Sequence, residues 1–194
     1  MTHFFAPDRC ETPEFTVRCY QPGDGRMLQE AANASYEHLR TFMLWAKPEF
    51  TWEEQEARVR RFCGLYLTNE DFVLGIFTPD NTRLMGGTGY HLRGHSLDDE
   101  TAEIGMWISA QDAGKGLGTR VLKALLHWGF TAWPWQRIEW KCDTRNIASA
   151  SVARKAGMQL EATFRQDVPL PDGTRRDTHL FSMLRDEYTG SQSR

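Results

Sequence analysis

Hydrophobic and polar positions follow two rhythms along this chain, and the change between them is sharpest over residues 103–130. Ile104, Met106 and Ile108 alternate with Gly105, Trp107 and Ser109, the two-residue period of a strand. From Leu117 the period lengthens: Leu117, Val121, Leu125 and Trp128, with Leu122 and Leu126 beside them, recur at helical spacing. Between the two lies the stretch Gln111-Asp112-Ala113-Gly114-Lys115-Gly116-Leu117-Gly118-Thr119. Glycines let a backbone approach a ligand closely and take positive φ. The first amides of a helix have no intrahelical acceptor and sit at the positive end of its dipole. The pattern therefore predicts an anion cradle suited to phosphate or pyrophosphate, with Lys115 and Arg120 at its rim. The competing reading is a tight turn whose glycines only permit a sharp corner.

The rest of the chain is read the same way. Residues 15–20 alternate as a strand, closed by Pro22-Gly23-Asp24-Gly25, and Asp24 is a candidate N-cap for a helix through Met27 and Leu28. Helical spacing continues over residues 31–45 and stops before Pro48, and Thr51-Trp52-Glu53-Glu54 is a capping box opening another helix. Residues 71–78 and 83–92 read as a hairpin, the second strand carrying Gly86-Gly87 and Gly89, a hint of a bulge or close backbone approach. After the central helix, residues 137–142 read as a strand, 147–156 as a short helix closed by Gly157, and 158–168 and 175–184 as strands joined at Pro171-Asp172-Gly173. Central strand, helix and next strand require a right-handed crossover and parallel pairing. The expected fold is α+β: a mostly antiparallel twisted sheet of about seven strands, with helices on both faces.

Composition narrows the function. A net charge of −3 gives no electrostatic footprint for nucleic acid, so no nucleic-acid partner is expected. No apolar run reaches membrane-spanning length and the N-terminus lacks a signal-peptide build, so a cytoplasmic protein without a membrane partner is expected. Cys10, Cys19, Cys63 and Cys142 are scattered without metal-ligand spacing, and His38, His91, His95 and His127 add none; no metal is expected.

The glycine stretch resembles the pyrophosphate signature of the GNAT superfamily of acetyl-coenzyme A-dependent N-acetyltransferases: Gln111-x-x-Gly114-x-Gly116 matches Gln or Arg, two residues, Gly, one residue, Gly or Ala. Asn146-x-x-Ser149, followed by Lys155-x-Gly157-Met158, resembles that family's second cofactor-contacting segment. Together with the run from Leu39 to Trp45 it is similar to the Rim-type branch, which acetylates N-termini of ribosomal proteins. The likeness covers residues 15–188. With residues 1–13 read as an N-terminal arm and 189–194 as a disordered tail, it implies a single acetyltransferase domain over 14–188. It also implies two parallel central strands that splay into a V.

The resemblance implies roles residue by residue. Backbone groups of Gln111, Asp112, Ala113, Gly114, Lys115, Gly116, Leu117, Gly118 and Thr119 hold the coenzyme A pyrophosphate. Met106, Trp107 and Ile108 run beside the pantetheine arm, with an oxyanion donor near Trp107, and Asn146 bonds the pantetheine amide region. Many relatives place a tyrosine acid seven residues after the asparagine; here that position is Ala153, and Ser149 is the substitute, as acid or as cofactor contact. The chemistry asks for a neutral amine. At pH 7 that costs about 1 kcal/mol for an α-amine and about 4–5 kcal/mol for a lysine, so a modest base suffices for an N-terminus. Glu103, at the start of the central strand, is the candidate base, acting directly or through water, and its competing reading is a rim carboxylate. Tyr36, Trp45, Trp52 and Tyr90 are candidates to line the acceptor pocket or else pack in the core. Trp133 and Trp135 are expected to cap the core or meet a partner chain.

The expected acceptor is a protein N-terminal α-amine, with a small amine or antibiotic as the alternative; a homodimer is one open possibility for assembly. Two other classes compete: a coenzyme A-binding sensor without catalysis, and a Rossmann-type nucleotide or methyl-donor site. Against the latter, the third glycine comes one residue early and the motif follows some hundred residues of helices and hairpin strands; a P-loop is excluded separately, since no G-x-x-x-x-G-K-S/T is present.

Overall fold

The computed structural model describes residues 4–192 of the 194, leaving the ends of the expected arm and tail outside the described residues. Eight strands hydrogen-bond in the order β1-β2-β3-β4-β5-β6-β8-β7, with six α-helices among the described residues. This is a mixed α/β fold with both parallel and antiparallel pairing. The chain divides into two compact units, one of residues up to Leu92 with Met106–Leu117, the other of Arg93–Gly105 with residues from Gly118 on.

The first unit holds β1 (Arg9–Glu11), β2 (Thr16–Cys19), α1 (Gly25–Ala34), α2 (Tyr36–Leu39), α3 (Trp52–Leu67), β3 (Phe72–Phe77), β4 (Leu84–His91) and the last residues of β5 (Thr101–Ile108). Strands β1 to β4 are antiparallel neighbours. Residues 9–11, expected in an arm ahead of the domain, add the eighth strand by pairing Arg9–Glu11 with Thr16–Arg18. The core gathers Tyr20, Leu28, Val59, Phe77 and Leu84, all buried. Thr51 caps α3 as read from the sequence: its hydroxyl accepts from the Glu54 amide, whose carboxylate accepts from the Thr51 amide.

Two local readings are corrected here. Asp24 stands at the N-cap of α1 but makes no side-chain cap; its buried carboxylate takes the Arg18 guanidinium (2.7 and 3.0 Å) and the Gln21 amide instead. The helix expected over 31–45 stops at Ala34, because Ser35 leaves helical φ/ψ, and only the four residues of α2 follow.

The second unit carries the start of β5, α4 (Leu117–Ala132, from Gly118 on), β6 (Arg137–Asp143), α5 (Ile147–Lys155), β7 (Gln159–Pro169), β8 (Arg175–Leu184) and α6 (Arg185–Gln192). Strand β5 pairs with β6 in parallel, Thr101 with Arg137 through Glu103 with Glu139, and the crossover between them is α4. Gly157 ends α5 at φ +92°, and the Met158 amide returns to the Ala153 carbonyl. Trp133 and Trp135 belong to the core: both are buried, and their rings stack at 5.7 Å. Residues 189–192, assigned to a tail, continue α6. The outermost strand, β7, slips register on β8 between Phe164 and Val168, where Gln166 takes φ +51°. There Arg175 donates to the Asp167 carbonyl at 3.1 Å, and the Gln166 amide donates to Asp177 at 2.7 Å.

Candidate active site

The glycine stretch starts where β5 ends, and its first half is tied down. The amides of Asp112 and Ala113 both donate to the Ser109 carbonyl, at 3.0 and 2.9 Å. The Asp112 carboxylate turns inward, accepting from the Ser109 hydroxyl at 2.6 Å and from both terminal nitrogens of Arg83 at 2.6 and 3.1 Å. Burial pushes the Asp112 carboxyl up, yet Arg83 and Ser109 outweigh it and hold it below its ordinary range. From the other side, the Ala110 amide donates to the Ser35 hydroxyl at 3.0 Å, and the Lys115 ammonium folds back on the Gln111 carbonyl at 2.7 Å.

The second half of the stretch is different. Gly114 and Gly116 take φ +74° and +76°, a region L side chains avoid. A Cβ on Gly114 would meet nothing within 4 Å, so conformation rather than space demands glycine there. The amides of Gly114 and Gly116 make no hydrogen bond among the described residues, whereas those of Asp112 and Ala113 are already engaged. Of the amides expected to face a ligand, those of Gly114 and Gly116 are the ones without a bond among the described residues. Exposed donors at a helix start fit a diphosphate. A pocket in the same unit, lined in part by Ser35, Arg83 and Gln111, holds only about 210 Å³. Sites for drug-sized ligands run to about 300–1,000 Å³, so this dent does not seat a whole coenzyme.

Gly86 and Gly87 are explained by Trp107. A Cβ on Gly86 would stand 2.2 Å from the Trp107 carbonyl oxygen, and one on Gly87 would stand 2.3 Å from the indole nitrogen. Half-buried Trp107 therefore lies flush on β4, and Trp45 meets its ring edge-on at 5.7 Å. The Arg58 guanidinium sits 5.6 Å from the Trp45 ring. Tyr36, half-buried, opens α2, and Trp52 is exposed at the first position of α3. Tyr90 is different: at 0% exposure it belongs to the core of β4 and presents no surface to an acceptor. Alternation places Tyr90 on one face of β4 but does not say that the face is sealed.

In the second unit, Glu103 is 13% exposed and has both oxygens engaged, Oε1 by Arg93 at 3.0 Å and Oε2 by Lys141 at 3.2 Å. Burial pulls the Lys141 pKa down, but Glu103 and Glu139 together outweigh it and hold the ammonium above its ordinary value. Asn146 is the N-cap of α5, its side-chain oxygen accepting from the Ser149 amide at 3.0 Å, which leaves its NH₂ for a ligand. The Ser149 hydroxyl accepts from the Trp140 indole N–H at 3.0 Å. Burial pushes the neighbouring Cys142 thiol up, and a hydrogen bond from Ser149 offsets part of that rise. Ala153, where many relatives carry a tyrosine, is fully buried inside α5.

Within the second unit the structure groups Asn146 with Ser149, and within the first it groups Trp45 with Trp107. Sequence reasoning missed Arg83, Ser35 and Trp140. Each acts through a partner 9 to 75 residues away, and no local spacing signals such a pair.

Comparison with known proteins gives the family. Residues 15–159 match the family model described as "Acetyltransferase (GNAT) domain". A Bacillus subtilis (strain 168) relative, "Probable N-acetyltransferase YjcK", is 28% identical over 144 residues, covering 73% of this chain and 77% of the relative. The "Ribosomal-protein-serine acetyltransferase" of Escherichia coli (strain K12) is 32% identical over 139 residues, covering 72% and 76%. Among solved structures, RimL, a ribosomal L7/L12 alpha-N-protein acetyltransferase in complex with coenzyme A, shares the fold at a TM-score of 0.80 and 20% identity, covering 91% of this chain and 97% of that one. The chain belongs to the GNAT acetyltransferase family and is an acetyl-CoA-dependent N-acetyltransferase.

Proposed function

We propose that the acceptor is a protein N-terminal α-amine of the ribosomal-protein type, acetylated by direct attack in a ternary complex. The observation that carries the choice is the 32% identity to a ribosomal-protein-serine acetyltransferase over 72% of this chain. It is supported by the small demand that an α-amine makes on a base. Glu103 is a carboxylate held between Arg93 and Lys141, and an α-amine, whose reference pKa lies just below 8, asks less of a base than a lysine does.

In this reading the acetyltransferase works in the cytoplasm, where Cys10, Cys19, Cys63 and Cys142 stay free thiols. Amides from Gly114 to Gly118 hold the diphosphate, Met106 to Ile108 line the pantetheine arm, and the NH₂ of Asn146 meets its amide region. Bound acetyl-CoA supplies a thioester, whose acetyl carbon is open to the amine and whose sulfur can leave as thiolate. Glu103 takes the proton from the acceptor ammonium, directly or through one water. Ser149, whose oxygen accepts from Trp140, turns its hydroxyl proton from the Cys142 sulfur to the departing thiolate sulfur. Backbone N–H groups near Trp107 stabilise the developing oxyanion.

A panel of N-terminal peptides, lysine peptides and small amines, followed by thiol release and mass spectrometry, tests the acceptor. Acetylation at the peptide α-amine is the expected product. Turnover of small amines alone moves the enzyme to the alternative acceptor class, and binding without turnover makes it a coenzyme A sensor.

A further inference from the structure

The stretch proposed to hold a diphosphate contains an acid, Asp112, two residues before the first free glycine amide. An unneutralised carboxylate so close to a diphosphate would oppose binding by like-charge repulsion, which falls only slowly with distance where water is partly excluded. Arg83 removes the difficulty. It reaches from the start of β4 to place two parallel N–H bonds on the Asp112 carboxylate, at 2.6 and 3.1 Å, the planar fork geometry that only arginine provides. The Asp112 side chain is 10% exposed and that of Arg83 38% exposed, so the acid is covered while its partner meets solvent.

The same carboxylate accepts the Ser109 hydroxyl at 2.6 Å, and the Ser109 carbonyl gathers the Asp112 and Ala113 amides. The Ala110 amide is held by the Ser35 hydroxyl. Side chains at the end of α1 and just ahead of β4 thus fix the entrance of the stretch, and the chain beyond it is left with amides at Gly114 and Gly116 that make no bond among the described residues. We infer that Arg83 is a positioning residue for the coenzyme: its ion pair with Asp112 cancels a charge that would repel the diphosphate and holds the entrance so that the glycine amides face outward. This rests on the reading that the diphosphate lies against Gly114 and Gly116.

The test compares two donors, acetyl-coenzyme A and acetyl-pantetheine, which carries the same thioester without the diphosphate. Arg83→Gln is expected to raise KM for acetyl-coenzyme A by about tenfold or more, as one uncompensated charge at this range implies. It should leave kcat and the KM for acetyl-pantetheine within about twofold, and the double variant R83Q/D112N should recover most of the loss. Arg83→Lys, which keeps the charge without the fork, should bind the coenzyme better than Arg83→Gln and serves if the latter does not fold. Equal damage to both donors would show general misfolding of the unit and overturn the inference, as would R83Q kinetics like the parent's or a double variant no better than the single one. Failure of the underlying reading looks different. Gly116→Glu would then bind coenzyme A normally by calorimetry, whatever the Arg83 variants do.

Discussion

The indole N–H of Trp140 donates to the Ser149 hydroxyl at 3.0 Å, fixing which way that hydroxyl can send its own proton. Ser149→Ala should lower kcat by about a hundredfold if the serine is the acid. It should also cost about 1–2 kcal/mol of stability, because the buried indole loses its acceptor. Adding Trp140→Phe removes the orphaned donor, so thermal denaturation of S149A/W140F should recover while turnover stays low. An S149A enzyme with full kcat and weakened coenzyme affinity would reassign the serine to cofactor contact alone.

Glu103→Gln keeps the shape of the side chain but cannot take a proton. A fall of about a hundredfold in kcat/KM is expected near neutrality, with partial recovery as pH rises and the acceptor ammonium loses its proton without help. The pH profile of the variant should be steeper than the parent's. Parallel profiles would leave Glu103 as a structural partner of Arg93 and Lys141.

Gly87→Ala tests the packing of Trp107 on β4. The new Cβ would stand 2.3 Å from the indole nitrogen, and overpacking of this kind costs about 1–3 kcal/mol. Trp107→Phe shortens the ring, so the double variant should regain stability in a urea titration relative to Gly87→Ala.

Acid stability should report the Arg137–Glu161 pair. Arg137 donates to Glu161 at 3.0 Å, and this bond, with one from Ser182, holds the Glu161 carboxyl down at about 2 against an ordinary 4.5. A folded-state value below the unfolded one means the pair stabilises fully above about pH 4.5 and loses its contribution as pH falls towards 2. Because the pair is partly exposed, solvent screening limits it to about 1 kcal/mol or less. Glu161→Gln should flatten that segment of the stability curve and leave the region above pH 5 parallel to the parent's.

Much of this architecture is legible in the sequence because it is local. The switch of period around Gly114 gives β5 and α4, Thr51 and Glu54 announce the start of α3, and Gly157 marks the end of α5. What the sequence hides is decided at a distance. Ser35, which ends α1, holds an amide 75 residues away, and Asp24 is drawn from its capping role by Arg18. In the site, Gln111, Gly114 and Gly116 are visible as a motif, but not that Asp112 and Ala113 spend their amides on Ser109. Tyr90 shows the limit of periodicity, which assigns a face and not its depth.

The irregular outer strand has a consequence for the life of the protein in a crowded cell. At eleven residues, with Leu160 and Phe164 exposed, β7 is long and greasy enough to recruit a second copy edge to edge. The twist at Gln166 breaks the straight run of peptide groups that such stacking needs, and Arg175 covers a carbonyl that would otherwise invite it. The kink is thus a safeguard against aggregation, built into the strand most exposed to it.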